Sequence, residues 1–359
     1  MTFERDNIAR MQGYKPGEQP EDSRTIKLNT NENPYPPSPR VQKVINGFNA
    51  ESLRRYPPAT AIKFRTIAAR QHGVSPENII ATRGGDELLR LLITTYVEPG
   101  QTIGMTQPTY SLYPVLAEIQ NCQVLKVPLE EDWSLPDNFC SRVNDADCRL
   151  TFIVNPHAPT GSLLNSDTLS KLADQVKGIL VIDEAYVDFI DRDYDAIKLI
   201  HSHPNIVILR TLSKGYSLAG LRFGYGIADK QLIEPMIYKT RDSYNLDTLG
   251  QQIAEAALLD QDYANDTWQA VISSRQSLLN ALENLNFEVL PSQANFLLVT
   301  LPDGCSVSAL QLYEKLKERH ILVRYFDEDR LRDKLRITVG TNDENQVLMK
   351  SIHTILSAG

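Results

Sequence analysis

Cysteine is scarce in this chain of 359 residues: Cys122, Cys140, Cys148 and Cys305 are scattered, with neither metal-ligand spacing nor the pattern of a disulfide framework. A reducing, cytoplasmic compartment is therefore expected, and no metal site. An excess of positive charge is also missing. The net charge of -8 gives no electrostatic basis for nucleic-acid binding and would repel an anionic membrane surface. No apolar run approaches the length that crosses a bilayer, and the opening MTFERDNIARMQ lacks the apolar stretch of a signal peptide. No GxGxxG fingerprint occurs, so a nicotinamide cofactor has no support. Internal repeats and low-complexity segments are absent as well.

What is present is the composition of an ordinary globular protein, long enough for one large core and a smaller one. Residues 1–36 read as an arm, rich in glycine, proline, asparagine and charge, with Ile26–Leu28 its short apolar segment. From residue 37 to 248 a βα rhythm follows. Ile79–Thr82, Thr102–Met105, Val124–Val127, Leu150–Val154 and Ile179–Ile182 are strand candidates, alternating with amphipathic stretches such as Ser166–Val176 and the Pro108–Gln120 segment that carries Tyr110 and Tyr113. Nearly continuous apolar strands between helices predict an α/β fold with a mostly parallel sheet covered on both faces. From 249 to 359 the pattern changes to a smaller α+β unit, with strands predicted at Ala294–Val299, Ile321–Arg324 and Leu335–Val339.

Three places carry chemistry. Gly84-Gly85-Asp86 turns a strand into a helix, and exposed N–H groups at such a start can cradle an anion, although glycine is often there for steric reasons alone. Asp183-Glu184-Ala185-Tyr186 follows a strand end, where open α/β sheets bind ligands; Asp183 either faces a ligand or caps a helix, and Glu184 reads as structural or solvent-facing. Third, IVILRTLSKGYSLAGLRFGYGIA (206–228) sets Thr211, Ser213, Lys214 and Arg222 in a turn between two apolar strands. Lys214 is there either a solvated surface charge or a desolvated amine that loses its proton near neutral pH and acts as a nucleophile, pyridoxal phosphate being the obvious aldehyde recipient.

Taken in order, KLNTNENPYPPSP, RYPPA, NPHAPTG, IDEAYVDF, RTLSKGYSLAGLRFGY, ANFLLV, ILVR and LRITVGT resemble the fold-type-I pyridoxal-phosphate aminotransferases, and within them the histidinol-phosphate aminotransferases, over essentially the whole chain. The resemblance implies a seven-stranded-type sheet and pyridoxal 5'-phosphate. Lys214 would be the lysine joined to the cofactor and the carrier of the proton, Asp183 the partner of the ring nitrogen, and Tyr186 a donor to the ring's phenolic oxygen. Tyr110 would stack on the ring, and Gly85, Asp86, Thr211, Ser213 and Arg222 would hold the phosphate. Tyr56 would reach the site of a neighbouring subunit, making the enzyme a homodimer. Arg336, Arg324, Tyr14 and Asn295 would bind substrate: glutamate or 2-oxoglutarate in one half-reaction, L-histidinol phosphate or its imidazolyl ketone in the other.

The chain departs from the family's motifs at His157 and Ala158, where asparagines are usual, and at Pro37 and Pro58. His157 is expected beside the phenolic oxygen, where its titration would alter the cofactor's pH behaviour, or else turned away to leave Tyr186 as the main donor. The alternatives of the same fold are an aromatic or broad-specificity aminotransferase and a phospho-amino-acid decarboxylase.

Overall fold

A computed structural model describes residues 3–20, 22 and 24–357; the remaining residues of the expected arm and the last two of the expected small unit lie outside it. The strands are β1 (Ile26–Lys27), β2 (Ile79–Thr82), β3 (Thr102–Gln107), β4 (Gln123–Pro128), β5 (Cys148–Val154), β6 (Ile179–Asp183), β7 (Ile206–Thr211), β8 (Gly224–Ala228), β9 (Glu288–Val289), β10 (Phe296–Thr300), β11 (Ile321–Leu322), β12 (Arg324–Tyr325) and β13 (Lys334–Thr338). Seven of them form one sheet in the order β2-β8-β7-β6-β5-β3-β4, parallel except for β8, which runs against both its neighbours.

The continuous apolar runs of the sequence are divided between two faces by the pleat. Leu180, Ile182, Ile206 and Ile208 enter the core on one side, with Phe64 and Phe223. Val181, Val207, Leu209 and Phe152 enter the core on the other, with Leu88 and Leu92 of the helix Gly84–Tyr96. Both faces are covered, as a parallel sheet requires. The chain runs from β3 outward to β4 and then back past β3 to β5, so the sheet has its switch point between β3 and β5. A crevice opens there at the carboxyl ends of the strands.

A second sheet, β12-β13-β10-β9, is antiparallel and packs with the helices Ala309–Glu318 and Asn342–Ser357 around Leu297, Leu312, Ile337 and Ile352. Two expectations change here. The strand predicted over Ile321–Arg324 is two strands: β11 pairs in parallel with β1 of the arm, while β12 pairs with β13. The helix Thr248–Leu258, grouped with the small unit from the sequence, instead buries Ile253, Ala254, Ala257 and Leu258 in the large core. Its apolar face fits either unit, and only the fold decides which is within reach.

The arm is tied down. Leu28 is buried in the small unit's core, and Leu28 N–H and Ile26 N–H donate to Leu322 and His320 carbonyls at 2.8 Å. Residues 26–33 thereby thread between the two units at the mouth of the crevice.

Beneath the crevice, Glu184 is buried and accepts from Arg210 Nε and from the Tyr194 hydroxyl, each at 2.6 Å. Glu184 is thus structural. Glu184→Ala leaves the Arg210 guanidinium buried without its counter-charge, and urea unfolding should show a loss of about 3–5 kcal/mol.

Candidate active site

The switch-point crevice closes into a cavity of about 490 Å³. Of the residues singled out from the sequence, Tyr14, Gly85, Asp86, Tyr110, Asp183, Tyr186, Thr211, Ser213, Lys214, Arg222, Arg324 and Arg336 all line it. They come from the ends of β6 and β7, from the turn after β3, from the helix start at Gly84, from the arm and from the small sheet.

Lys214 leaves the turn after β7, and its Nζ donates to the Thr30 carbonyl of the arm at 2.8 Å. Burial, with Arg336 adding like-charge repulsion, lowers its pKa to about 8. At that pKa about a fifth of the amine is neutral at pH 7.4, far more than of an ordinary lysine. Asp183 is buried at the end of β6; burial raises its pKa to about 6, against hydrogen bonds that favour the carboxylate. Those bonds come from the Tyr113 hydroxyl at 2.6 Å and Ala185 N–H at 3.1 Å. No cation pairs with Asp183 among the described residues, so its charge is stabilised by neutral dipoles alone. The Tyr186 hydroxyl accepts from Asn31 Nδ2 at 3.0 Å, which leaves its own proton free to be donated.

An anion cradle lies at the far side. The helix Gly84–Tyr96 has no side-chain cap, whereas Ser38, Asn165, Asp247 and Ser308 cap other helices. Its first N–H groups are free for a ligand, and the helix end is electropositive. Arg222 stands over it, donating to Ser213 Oγ at 3.4 Å and pairing with Asp86 at 3.2 Å. Gly84 is required: its φ is +75°, and a Cβ would lie 2.8 Å from Arg222 Nη2. The Thr211 hydroxyl donates to Ser213 Oγ at 2.9 Å and fixes the turn.

A pair of cations faces the opposite end. Register places Arg324 directly across from Arg336 between β12 and β13. Like charges so placed repel. Both guanidiniums pack on the Phe326 ring, 5.2 and 5.5 Å from its centroid, and Arg336 Nε is buried with no partner. An anionic substrate group would relieve both costs.

Residues 23–352 match the model of the family described as aminotransferase class I and II. The chain is 42% identical over 356 residues to histidinol-phosphate aminotransferase 1 of Trichormus variabilis, covering 99% of each, and 42% identical over 352 residues to histidinol-phosphate aminotransferase of Geotalea uraniireducens, covering 98% of this chain and 99% of that one. The chain belongs to the histidinol-phosphate aminotransferases, within aminotransferase class I and II. Its fold matches the crystal structure of histidinol-phosphate aminotransferase from Sinorhizobium meliloti in complex with pyridoxal-5'-phosphate, with a TM-score of 0.87 and 26% identity over 93% of this chain and 91% of that one. The fold-type-I class expected of this aminotransferase from its sequence agrees with that likeness.

Three residues of the expected set lie away from the cavity of this aminotransferase. His157 is buried with both ring nitrogens engaged: Nε2–H donates to the Pro108 carbonyl at 3.1 Å, so Nδ1 accepts from the Thr160 hydroxyl at 2.8 Å. Burial lowers its pKa to about 4. The imidazole braces two loops and is not among the residues that line the cavity, although its partner Pro108 is. Asn295 is fully buried, and its Nδ2 donates to the Asn31 carbonyl at 2.9 Å, so it ties down the arm. Tyr56 is 80% exposed and stacks on Tyr244, with ring centroids 4.4 Å apart, outside its own chain's cavity.

Tyr113, Asn31 and Thr30 were not singled out from the sequence, yet each bonds a lining residue directly. Tyr113 stands three residues after Tyr110, one helical turn on, and that spacing was the available signal. The helix begins only at Leu112, so Tyr110 sits in the preceding turn and faces the cavity while Tyr113 faces the sheet. Asn31 and Thr30 had no signal beyond their motif.

Because His157 stays neutral and is committed elsewhere, His157→Asn should move the pH midpoint of the cofactor's visible absorbance by less than about 0.2 unit. A larger displacement in a spectrophotometric titration would place position 157 within reach of the cofactor.

Proposed function

We propose that the enzyme transfers the amino group of L-histidinol phosphate to 2-oxoglutarate, reversibly and by a ping-pong route, giving 3-(imidazol-4-yl)-2-oxopropyl phosphate and L-glutamate, with pyridoxal 5'-phosphate as cofactor. The observation that carries this reading is a buried, partly neutral Lys214 amine sharing one cavity with two separate anion sites. The site's residues fit the cofactor. The uncapped helix start with Ser213 and Arg222 suits its phosphate, and the cation-free buried carboxylate of Asp183 suits a protonated ring nitrogen. When bound, pyridoxal phosphate supplies a ring that withdraws electrons from the substrate's α-carbon.

The chain's own groups do the rest. Lys214 Nζ would take a proton from the substrate's α-carbon and return it to the cofactor carbon on the other side of the shared nitrogen, which requires an amine partly neutral near pH 7 and free to swing; its lowered pKa and flexible stem meet both needs, whereas an arginine would stay charged. Asp183 holds a proton on the ring nitrogen, oriented by Tyr113 and Ala185 N–H. Tyr186, its oxygen already accepting from Asn31, directs its hydroxyl proton into the site. Arg336 and Arg324 clamp the carboxylate of glutamate or the phosphate of histidinol phosphate, a cation pair that suits the doubly charged group better than one arginine would. Tyr14, whose ring meets Tyr110 edge to face at 6.0 Å, and the arm keep water from the reacting carbon.

Consumption of 2-oxoglutarate by the purified enzyme should be at least about tenfold more efficient, in kcat/KM, with L-histidinol phosphate than with phenylalanine, tyrosine or leucine, and Lys214→Arg should abolish it. Equal efficiency with phenylalanine would establish an aromatic aminotransferase, and carbon dioxide release a decarboxylase.

The same reading makes the enzyme a homodimer, with the partner subunit's Tyr56 completing each site, in a cytoplasmic compartment that suits four cysteines, all free. The exposed Tyr56–Tyr244 stack, with Tyr238 and Ile62 also exposed, supplies an apolar face for a second copy. Inactive Lys214→Ala and Tyr56→Ala chains, unfolded together and refolded at equal concentration, should regain about a quarter of native activity, since half the dimers then hold one intact site. No recovery would place Tyr56 outside the partner's chemistry.

A further inference from the structure

One side chain joins the two units at the rim of the cavity. Arg330, in the segment between β12 and β13, reaches the turn that follows β4. Its Nη1 donates to the Leu129 carbonyl at 2.7 Å, and its Nη2 donates to the carbonyls of Glu130 at 2.6 Å and Glu131 at 3.3 Å. The guanidinium lies over the Trp133 indole, with Cζ 4.2 Å from the ring centroid. A planar fork with fixed donors can serve several carbonyls and a ring face at once, whereas an ammonium cannot.

Each side of the contact is held by its own chain. Trp133 and Arg330 both have φ near the left-handed region, +68° and +67°, which residues other than glycine seldom adopt. Around Trp133, its N–H donates to the Glu130 carbonyl and Glu130 N–H to the Ser134 carbonyl, both at 3.0 Å. Around Arg330, Leu331 N–H donates to Glu328 at 3.1 Å and Lys334 N–H to Leu331 at 3.0 Å. Two preformed turns therefore meet through one arginine. The Arg330 turn also builds the site, because Phe326, Glu328 and Leu331 line the cavity and the Phe326 ring lies against both Arg324 and Arg336.

We propose that Arg330 is a positioning residue for substrate: its clasp on the Leu129–Trp133 turn holds the cavity wall against the large unit and keeps Arg324 and Arg336 aligned on an anionic substrate group. This inference rests on the function proposed above. It assigns the clasp to binding rather than to chemistry, because Arg330 itself is not among the cavity-lining residues.

The chain has two tryptophans, Trp133 and Trp268, so in a Trp268→Phe background Trp133 reports on the clasp directly. In that background Arg330→Gln should shift the emission to the red and raise acrylamide quenching about twofold. In the otherwise native enzyme, the KM for L-histidinol phosphate should rise about tenfold while kcat stays within about twofold. Arg330→Lys, which retains the charge, should fall between the two. Trp133→Phe, which retains a ring, should hold the native KM within about twofold, and Trp133→Ala should follow Arg330→Gln. An unmoved emission overturns the proposal, and so does a moved emission with an unchanged KM. If the native enzyme transaminates no donor, the assigned function fails; the Trp133 emission, with and without Arg330→Gln, then still decides whether the clasp exists.

Discussion

Lys214 Nζ sits where water solvates an ammonium poorly, and the charge acting on it most strongly is another cation, Arg336. Burial and repulsion act in one direction and bring the pKa down to about 8, so the amine can be a nucleophile near neutral pH. The surrounding structure maintains that condition. The strand pair β7–β8 fixes the turn that carries the lysine, the arm carbonyl of Thr30 accepts its hydrogen bond, and the small sheet presents Arg336. If the arm or the small sheet drew back, the amine would regain water and lose the repulsion of Arg336, and it would hold its proton more tightly.

The arm takes part in this as more than a cover. Over three consecutive residues it supplies the Asn29 carbonyl to Arg336 at 3.0 Å, the Thr30 carbonyl to Lys214 and the Asn31 amide to Tyr186. Asn31 Oδ1 also accepts from Thr338 at 3.0 Å, and Asn295 holds the Asn31 carbonyl. A segment that reads from its composition as a loose tail is thus fixed by backbone pairing with β11 and by side chains from the small sheet. Its order and the geometry of the lysine and tyrosine are consequences of the same contacts.

Much of the large unit could be read in advance, because parallel strands buried on both faces leave unbroken apolar runs and the helices between them leave a periodic face. Ser166–Gln175 and Ile179–Asp183 fall within a residue or so of expectation for that reason. The small unit was less legible: β11 and β12 are two residues each, too short for periodicity to divide them, and they join different sheets. The helix Phe139–Asp145 and the strand Glu288–Val289 were not foreseen, being too short for periodicity to mark them. Within the site, Lys214, Asp183 and Arg222 stand beside strand ends, where pattern and chemistry coincide. His157 went the other way, since a motif position says which loop a residue is on but not which way its ring turns.

The linear order of residues determined the sheet class, the lysine between two buried strands, the glycine turn before an uncapped helix and the family to which these belong, because each depends on neighbours along the chain. The folded molecule alone decided that the His157 nitrogens are spent on Pro108 and Thr160, that Tyr113 rather than Tyr110 bonds Asp183, and that Arg324 lies opposite Arg336. Those outcomes depend on the relative placing of groups from 3 to 70 residues apart along the chain. A hydrogen bond is set by direction within a few tenths of an ångström, and spacing along the chain does not carry that information.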